Sequence, residues 1–370
     1  MRLLPVPDDP ARLVPALRAA LAGGPAVLPL ADAGAEPGRA VPDGTAAVIR
    51  TSGSSGTPKA VVLSAAALVA SARATERALG GPGGWVLALP GHYVAGLQVI
   101  VRALLAGGEP VPVAPGPFTA SAFAAAVEAL PPGRAYSALV PTQVHRVVEA
   151  AERGEPAVLA AVGRLDGVLA GGGRLAPDLA DRAAALGLVV RRTYGASETA
   201  GGCVYDGVPL PDVRVRVEDG ELLLAGPMLA DGYLDDPAQT ASVFVERDGG
   251  RWYRTGDAGR WDGERVAVDG RLDDVVITGG EKVSLGLVEQ AVQALPGLAH
   301  AVVVRAPDAE WGEVPVVVTT ADVDLARLRA AVVARLGRAA APRRVLVLPE
   351  LPLLPSGKPD RRRLTDLARS

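Results

Sequence analysis

The amino-acid sequence predicts an α/β protein with a large N-terminal domain and a small, mobile α+β C-terminal domain. Over roughly the first 210 residues, short β-branched runs alternate with Ala- and Leu-rich helical patterns. This alternation is typical of mixed or largely parallel sheets with helices on both faces. After about residue 205, apolar and polar residues alternate around Asp-Gly pairs, which predicts a small antiparallel β region. A compact α+β unit follows beyond Arg271.

The N-terminal part contains a predicted buried strand, AAVIRT (46–51), that enters a Gly- and Ser-rich loop with a helix after it. Ser64 is placed to cap that helix, which should continue to about Gly80. Further strands are predicted at 85–90, 136–140, 167–170 and 188–192, with helices at 96–105 and after Pro141 and Pro177.

Two hairpins are predicted in the β region, at 213–226 and 252–271, the second turning at Asp262-Gly263. The C-terminal unit should contain helices at 285–295 and 325–336 and strands at 300–305, 314–320 and 344–348. The segment from Pro349 is rich in Pro and Gly and then basic, and one interpretation is a solvated tail. We therefore predict domains at 1–272 and 273–370, with a hinge near Asp273.

Composition limits the classes of protein to consider. A net charge of −3 and a pI of about 5.8 give no electrostatic case for nucleic acid as a partner. The single cysteine, Cys203, excludes an internal disulfide framework and a multi-cysteine metal site. The N-terminus lacks a signal-peptide pattern, and the most apolar segment, 93–108, is interrupted by Arg102 and too short to cross a bilayer. We expect a soluble cytoplasmic protein without membrane insertion, and the sequence leaves a homodimer open.

Lysine is rare in this chain, and its placement is informative. Lys59, Lys282 and Lys358 are the three lysines among 38 lysine and arginine residues, and each lies in a Gly- or Ser-containing segment where we predict a loop. A compact ammonium on a flexible stem is not replaceable by the planar fork of arginine. A GC-rich coding bias explains the excess of arginine but not these positions, so we treat them as pointers to chemistry.

The segment TSGSSGTPK (51–59) is the strongest motif. Small residues in a row let backbone N–H groups converge, hydroxyls add donors, and Lys59 adds charge, so the segment predicts a phosphate cradle. It is not a Walker loop, because Pro58 intervenes and no Gly-Lys-Ser/Thr leads into a helix. The alternative is a flexible linker.

Four weaker motifs follow along the chain. YGASET (194–199) places Glu198 where it could bind phosphate-bound Mg²⁺, and YRTGD (253–257) places Asp257 where it could accept hydrogen bonds from ribose hydroxyls. Taken alone, each of these two motifs is better interpreted as a surface turn. GRLDDVVITGGEKVS (270–284) combines an Asp pair at the expected hinge with a Gly pair that permits close backbone approach, and PSGKPD (355–360) puts Lys358 on an exposed loop.

In order and spacing these five segments resemble the signature stretches of the adenylate-forming enzymes, which include acyl-CoA synthetases, peptide-synthetase adenylation domains and luciferases. The resemblance covers about residues 46 to 365. It implies two half-reactions: a carboxylate attacks the α-phosphate of ATP to give acyl-AMP and pyrophosphate, and a thiol then attacks the acyl-AMP. ATP, Mg²⁺ and coenzyme A are the implied cofactors and co-substrates.

The resemblance also implies a role for each matched residue. Lys358 would bridge the substrate carboxylate and the α-phosphate, and Thr57 and Glu198 would lie beside Mg²⁺. Asp273 would be the hinge, Gly279 and Gly280 would line the tunnel for CoA, and Lys282 would touch CoA or be solvated. The implied ATP-binding residues are Thr51, Ser52, Gly53, Ser54, Ser55, Gly56, Thr57, Lys59, Gly171, Gly172, Gly173, Arg174, Tyr194, Gly195, Asp257 and Arg271.

The Gly/Ser loop begins earlier than in typical members, from which we expect a shortened N-terminal subdomain. In this form the chain resembles the actinobacterial o-succinylbenzoate–CoA ligases of menaquinone biosynthesis, with matching stretches at 89–108, 137–149 and 197–211. One departure concerns the gate of the acyl pocket. Many relatives have an aromatic residue and then histidine, where this chain has His92 and then Tyr93.

A dicarboxylate substrate leaves one carboxylate that needs a partner, since a desolvated charge without one is costly. The candidate acyl contacts are His92, Tyr93, Arg102, Thr142, Gln143, Ser197, Gly201 and Gly202. Three alternatives to an o-succinylbenzoate–CoA ligase remain at this point. The protein could be a CoA ligase for another aryl or alkyl carboxylate, a stand-alone adenylation protein that loads a carrier protein, or a non-catalytic nucleotide-binding relative.

Overall fold

The computed structural model describes residues 1–31, 39–51, 59–354 and 359–369. Residues 52–58 of the predicted phosphate cradle, including Thr57, and the predicted catalytic Lys358 lie outside the described residues. The chain divides into two compact units. Unit 1 comprises Met1–Arg216, Leu223–Arg254 and Gly263–Val266, and unit 2 comprises Val217–Leu222, Thr255–Asp262 and Ala267–Ser370. A domain boundary at 272/273 and a hinge at Asp273 stay predictions.

Within the described residues the chain forms 22 strands. Those up to residue 209 are β1 (Leu3–Pro7), β2 (Ala26–Leu30), β3 (Thr45–Thr51), β4 (Lys59–Ser64), β5 (Gly84–Leu87), β6 (Val111–Pro112), β7 (Ala135–Leu139), β8 (Gly167–Ala170), β9 (Val190–Ala196), β10 (Gly201–Tyr205) and β11 (Val208–Pro209). Those that follow are β12 (Arg214–Glu218), β13 (Glu221–Ala225), β14 (Gly232–Tyr233), β15 (Phe244–Arg247), β16 (Gly250–Trp261), β17 (Val266–Arg271), β18 (Val275–Thr278), β19 (Glu281–Ser284), β20 (Val302–Asp308), β21 (Gly312–Thr319) and β22 (Arg344–Val347).

Helices separate most of the parallel strands. They are α1 (Pro10–Leu21), α2 (Ala65–Leu79), α3 (Val94–Leu105), α4 (Ala120–Glu128), α5 (Pro141–Glu152), α6 (Pro156–Arg164), α7 (Pro177–Ala185), α8 (Pro237–Val243), α9 (Leu285–Gln293), α10 (Leu325–Leu336) and α11 (Arg361–Arg369). Within the described ranges, no helix combines the length and the apolar character that a membrane span requires.

Unit 1 holds two sheets that confirm the predicted α/β class. In the first, with strand order β1-β2-β3-β4-β14, the strands β1, β2 and β3 are parallel, and β4 and β14 run antiparallel to their neighbours. In the second, with order β11-β10-β9-β8-β7-β5-β6, the five strands from β6 to β9 are parallel, and β10 and β11 complete one edge as an antiparallel pair.

Helix α2 begins and ends as the sequence predicts. The Ser64 hydroxyl accepts a hydrogen bond from Ala67 N at 3.3 Å, and Gly80 adopts a left-handed conformation with φ of 86°. These two residues satisfy backbone groups that the helix itself leaves unpaired. The predicted path into the helix was wrong, however, because strand β4 lies between the Gly/Ser segment and Ser64 and pairs with β3 from Thr51↔Lys59 onward.

The lysine placement also needs a correction. Lys59 is the first residue of β4 and Lys282 lies in β19, so neither is the loop residue that the sequence predicts. Strand β19 follows the Gly279-Gly280 turn, and in both segments the Gly-rich sequence concealed the strand that contains the lysine.

The β region contains the two predicted hairpins. Strands β12 and β13 are joined at Asp219 and Gly220, whose φ angles of 50° and 82° are those of a two-residue turn with both central residues left-handed. Strands β16 and β17 are joined through Gly263, with φ of 99°. Together with β15 these strands form one sheet, with order β12-β13-β16-β15 and β17 on β16.

The C-terminal part of unit 2 is the predicted α+β fold. Its sheet has the order β19-β18-β21-β20, with β22 parallel to β21. Gly279 and Gly280 form the two-residue turn between β18 and β19, with φ angles of 58° and 86°. A Cβ atom on Gly279 would lie 2.6 Å from the Trp311 ring, so both the turn and this contact require glycine there.

The interpretation of the C-terminus as a solvated tail was wrong for residues 361–369. These residues form α11, whose Leu364 and Ala368 are buried in a cluster with Val302, Val304 and Val316. The arginines at 361–363 are exposed. Because only two residues of this helix are buried, its apolar face is too short to be recognised in a basic sequence.

We predict that Leu364→Ala lowers the free energy of unfolding of unit 2 by about 2–5 kcal/mol, because a fully buried leucine is replaced by a cavity. Amide hydrogen exchange in β20 and β21, which pack on this side chain, should accelerate accordingly. Leu367→Ala is the matched control, since Leu367 lies in the same helix but is 38% exposed. Equal effects of the two substitutions would contradict the packing described.

Candidate active site

Unit 1 brings several predicted site residues to one edge of the parallel sheet. His92 and Tyr93 follow β5, Thr142 and Gln143 lie in the first turn of α5 after β7, and residues 171–174 follow β8. Carboxyl ends of parallel strands meet at the same edge, which is where open α/β sheets bind ligands. The sheet thus places candidates from distant parts of the sequence along a single edge.

Two glycines at this edge have no room for a side chain. A Cβ atom on Gly171 would lie 2.5 Å from Thr193 Oγ1, and one on Gly195 would lie 2.2 Å from the carbonyl oxygen of Gly201. Gly195 and Tyr194 belong to β9, which is a correction, because the sequence predicts them in a loop after the strand. Their backbone is therefore fixed by pairing with β10.

Glu198 lies in a single 3₁₀ turn that joins β9 to β10. The Thr199 hydroxyl accepts a hydrogen bond from Ala196 N at 2.8 Å, which closes the turn. Ala200 then takes a left-handed conformation with φ of 48°, and its carbonyl accepts a hydrogen bond from Ser71 Oγ of α2 at 3.0 Å. The backbone on both sides of Glu198 is consequently held by side-chain hydroxyls.

The Glu198 side chain is buried and is held by a residue that the sequence did not predict. Tyr233 Oη donates a hydrogen bond to Glu198 Oε1 at 2.8 Å, and Glu198 is only 8% exposed. Burial, and then the nearby Glu198 charge, raises the pKa of Tyr233 well above its usual value, so its hydroxyl remains a donor. The Lys59 ammonium lies 5.2 Å from the centre of the Tyr233 ring.

A magnesium ion would have few protein ligands here. In the part of the chain that the structure describes, no cluster of three or more His, Cys, Asp or Glu side chains is placed to hold a metal. Mg²⁺ is often bound through one or two carboxylates, waters and substrate phosphates. The buried Glu198 carboxylate fits that mode of binding, in which the nucleotide would supply other ligands.

His92 is fastened to a second residue that the sequence did not predict. Asp8, at the end of the first strand, accepts a hydrogen bond from Gly91 N at 2.7 Å and has its other oxygen 2.5 Å from His92 Nδ1. The rings of His92 and Tyr93 lie 4.1 Å apart. Burial, and then the Asp8 charge, raises the pKa of the Tyr93 hydroxyl. His92 therefore has a structural partner and supports the neighbouring tyrosine.

Two of the acyl candidates serve the fold instead. Gln143 accepts from Val140 N at 3.0 Å and donates to the Ala88 carbonyl at 3.1 Å, which ties α5 to the segment after β5. Arg102 lies in the last turn of α3, with its guanidinium 5.2 Å from the Trp85 ring near the amino end of β5. The structure thus places Arg102 at the opposite end of β5 from His92 and Tyr93.

The remaining acyl candidates flank the Glu198 turn. Ser197 is in the turn itself, and Gly201 and Gly202 are the first residues of β10. A Cβ atom on Gly201 would lie 3.4 Å from Gln98 Cγ of α3, so α3 covers this start of the strand. These three residues lie within four positions of Glu198 in the sequence.

Unit 2 joins the predicted ribose and hinge residues through one arginine. Arg271 donates from Nη1 to the Thr255 carbonyl at 3.0 Å and lies 3.3 Å from Asp257 Oδ1, while its Nε donates to Asp273 Oδ1 at 3.0 Å. These ion pairs are partly exposed, so they orient side chains more than they stabilise the fold. The CoA candidates Gly279, Gly280 and the exposed Lys282 share the β18–β19 hairpin.

Comparison with known protein families matches both parts of the chain. The family described as AMP-binding enzyme matches residues 12–234, and the AMP-binding enzyme C-terminal domain matches residues 287–358. The first match covers more than half of the sequence. The chain belongs to the AMP-binding enzyme family.

Relatives within the AMP-binding enzymes match nearly the whole chain. A protein of Mycobacterium tuberculosis strain H37Rv, named probable 2-succinylbenzoate–CoA ligase, is 39% identical over 381 aligned residues, covering 98% of this chain and 97% of that protein. Among solved structures, an amide bond synthetase from Marinactinospora thermotolerans superimposes with a TM-score of 0.76 at 28% identity, covering 94% and 76% of the two chains. The o-succinylbenzoate CoA synthetase of Bacillus subtilis, in complex with its acyl-adenylate intermediate, superimposes with a TM-score of 0.73 at 26% identity, covering 86% and 69%.

Tyr233 and Asp8 escaped sequence-based prediction for different reasons. Asp8 stands beside Asp9, which caps α1, so an acidic pair before a helix suggests capping alone. Tyr233 lies on a strand of two residues with no periodicity, and its partner Glu198 is 35 positions away. Asp8 could have been identified only by predicting strand β1, and Tyr233 only by predicting the pairing of β4 with β14.

The single cysteine of this AMP-binding enzyme lies in β10, beyond the Glu198 turn. Cys203 is buried, and burial raises its pKa to about 12. Its thiol is therefore neutral across the physiological range, whereas in the unfolded chain it ionises near its ordinary pKa. As pH rises above that value the unfolded state is favoured, so this residue lowers stability in alkali.

We predict that Cys203 does not react with an aromatic disulfide reagent at pH 8 in the folded protein and reacts once per chain in denaturant. The measurement is the absorbance of the released thiolate, with Cys203→Ala as the blank. Rapid reaction of the folded protein, without loss of its circular dichroism, would show that the thiol is not buried.

Proposed function

We propose that this protein is an ATP-dependent ligase that joins o-succinylbenzoate to coenzyme A through an acyl-AMP intermediate, a step of menaquinone biosynthesis. The observation that carries the proposal is the 39% identity to a probable 2-succinylbenzoate–CoA ligase across 98% of this chain. A match of this extent includes the acyl-binding segments as well as the nucleotide site. It supports a substrate class, which a shared fold alone does not.

The first half-reaction forms a bond between a carboxylate oxygen and the α-phosphorus and breaks the bond to pyrophosphate. In our proposal Lys358 neutralises charge on the reacting oxygens, and Lys59 with residues 51–57 holds the β- and γ-phosphates. Glu198 and Thr57 would bind Mg²⁺, which when present offsets phosphate charge. Gly171–Arg174, Tyr194 and Gly195 would frame the adenine, and Asp257 and Arg271 would hold the ribose.

The second half-reaction joins the thiol sulfur of CoA to the acyl carbon, breaks the bond from that carbon to the AMP oxygen, and releases the thiol proton to solvent. Asp273 is the proposed hinge between the half-reactions. Its side chain accepts a hydrogen bond from Arg271, so a turn of the chain at this residue would act on that contact. Gly279, Gly280 and Lys282 would face CoA.

For the acyl pocket we propose Tyr93, Thr142, Ser197 and the amides of Gly201 and Gly202 as partners of the substrate. His92 is less suited to bind the free carboxylate directly, because a neutral ring that donates from Nδ1 to Asp8 has no second N–H to donate. Arg102 is removed from the proposal by its place beside Trp85 at the amino end of β5. The free carboxylate would then be recognised mainly by neutral donors.

We predict that o-succinylbenzoate, unlike benzoate, supports ATP–pyrophosphate exchange, and that CoA then yields the thioester. A phosphopantetheinyl carrier protein and a simple amine are the competing acceptors, the amine because an amide bond synthetase shares this fold. Product detection by mass spectrometry distinguishes the three. Exchange with simple benzoates but not with o-succinylbenzoate would exclude the substrate assignment and leave a different carboxylate–CoA ligase.

We predict that Lys358→Ala lowers the rate of exchange by at least about 10²–10³-fold, as expected for removal of a charge that stabilises the transition state. Transfer of a supplied acyl-AMP to CoA should continue. Lys358→Arg is the matched variant and should also be impaired, because a planar fork cannot replace the ammonium. Loss of both half-reactions in Lys358→Ala would contradict the role proposed for this residue.

A further inference from the structure

Tyr233 is held rigidly between two segments of the proposed nucleotide site. Its strand, β14, pairs with β4 at Gly232↔Val62 and Tyr233↔Val61. Two residues before β14 begins, Ala230 N donates a hydrogen bond at 2.8 Å to the carbonyl of Glu198, which lies in the 3₁₀ turn. The stretch 230–233 therefore connects the strand that starts at Lys59 with the turn that carries Glu198.

The backbone at Tyr233 has little freedom. Gly232 has φ of 149°, and a Cβ atom there would lie 2.5 Å from the Thr240 side chain. Tyr233 N donates to Thr240 Oγ1 at 2.9 Å, and that hydroxyl donates in turn to the Asp236 carbonyl at 2.8 Å. The start of α8 thus fixes the backbone N–H of Tyr233, and the pairing of β14 with β4 fixes the direction of the backbone at this residue.

The hydroxyl of this fixed side chain selects one carboxylate oxygen of Glu198. Oε1 accepts the Tyr233 hydrogen bond at 2.8 Å, and Oε2 is the carboxylate oxygen that this hydroxyl leaves for another ligand. A carboxylate that is 8% exposed and fastened by one oxygen presents the other in a defined direction. Partners of this kind orient metal ligands and raise metal affinity.

The ring of the same side chain faces a cation. Lys59 Nζ lies 5.2 Å from the ring centre, within the range of a cation–π contact, and Lys59 closes the segment proposed to hold the phosphates. One residue therefore contacts both the carboxylate proposed for the metal and the ammonium proposed for the phosphates.

We propose that Tyr233 is a positioning residue for magnesium-bound ATP, orienting the Glu198 carboxylate through its hydroxyl and the Lys59 ammonium through its ring. This inference rests on the proposed function only in that ATP is the ligand; the identity of the acyl substrate does not enter it. It assigns two separable contributions to one side chain, which two substitutions can distinguish.

The test is isothermal titration calorimetry of ATP, without a carboxylate substrate, in excess Mg²⁺ and in EDTA. Tyr233→Phe keeps the ring and removes the hydroxyl. Its Kd for ATP in Mg²⁺ should rise about 10- to 100-fold, the usual loss for removal of a group that orients a metal ligand. Its Kd in EDTA should stay near that of the wild type. Tyr233→Leu also removes the ring and should raise the Kd in EDTA about 2- to 5-fold, as expected for a cation–π contact.

Tyr136→Phe is the matched control. Tyr136 is a buried tyrosine of β7 whose hydroxyl donates to the carbonyls of Leu79 and Gly81 at 3.0 and 3.2 Å, near the amino end of its strand. It should lose hydrogen bonds of a similar kind without a change in either Kd. Thermal unfolding of each variant, followed by circular dichroism, confirms that the proteins compared are folded.

A double-mutant cycle with Glu198→Gln keeps the test independent of general destabilisation. If the Tyr233 hydroxyl acts through Glu198, the double variant with Tyr233→Phe and Glu198→Gln should lose no more Mg²⁺-dependent affinity for ATP than Glu198→Gln alone. Additive losses, an unchanged Kd of Tyr233→Phe in Mg²⁺, or equal losses in Mg²⁺ and EDTA would each overturn the proposal. The titrations contain no carboxylate substrate, so they can be interpreted even if o-succinylbenzoate is not the substrate. The two proposals can therefore be tested independently.

Discussion

A carboxylate removed from water must be compensated by hydrogen bonds or by a cation, and in this protein that requirement falls on Glu198. The side chain is 8% exposed, and its described partner is the hydroxyl of Tyr233. To supply that hydroxyl, the fold adds the short strand β14 to the first sheet and ties it to the Glu198 turn through Ala230. Leaving the charge without these contacts would cost more than the contacts themselves contribute.

The rest of the site follows from how the parallel sheet is arranged. Strands β5, β7 and β8 end at the same edge, so residues separated by dozens of positions meet there without any local motif. The close approaches at Gly171 and Gly195 show why small residues collect at this edge: a Cβ atom at either position would enter a neighbouring backbone or hydroxyl. Glycine at these two positions is therefore required by the packing of the strands.

Much of the fold could be predicted from local patterns, and the errors share one cause. The cap at Ser64, the Asp219-Gly220 turn and helix α10 at Leu325–Leu336 are set by residues adjacent in sequence, and they were predicted correctly. Strand β4, helix α11 and Tyr233 depend on distant partners instead. The motifs indicated the family, whereas the neighbours of Glu198, His92 and Arg102 could be seen only in the folded chain; the roles of Thr57 and Lys358 remain predictions from the motifs.

The pairing of β14 with β4 also bears on how the protein acquires its site during folding. Val62 and Gly232 pair although they are far apart in the sequence. Bringing them together has a large cost in chain entropy, because the loop between them is long. Hairpins such as β12–β13 close over a few residues and form early by comparison. We therefore expect the Glu198 carboxylate to reach its final position late in folding, so that a partly folded chain has much of the secondary structure without an organised site around Glu198.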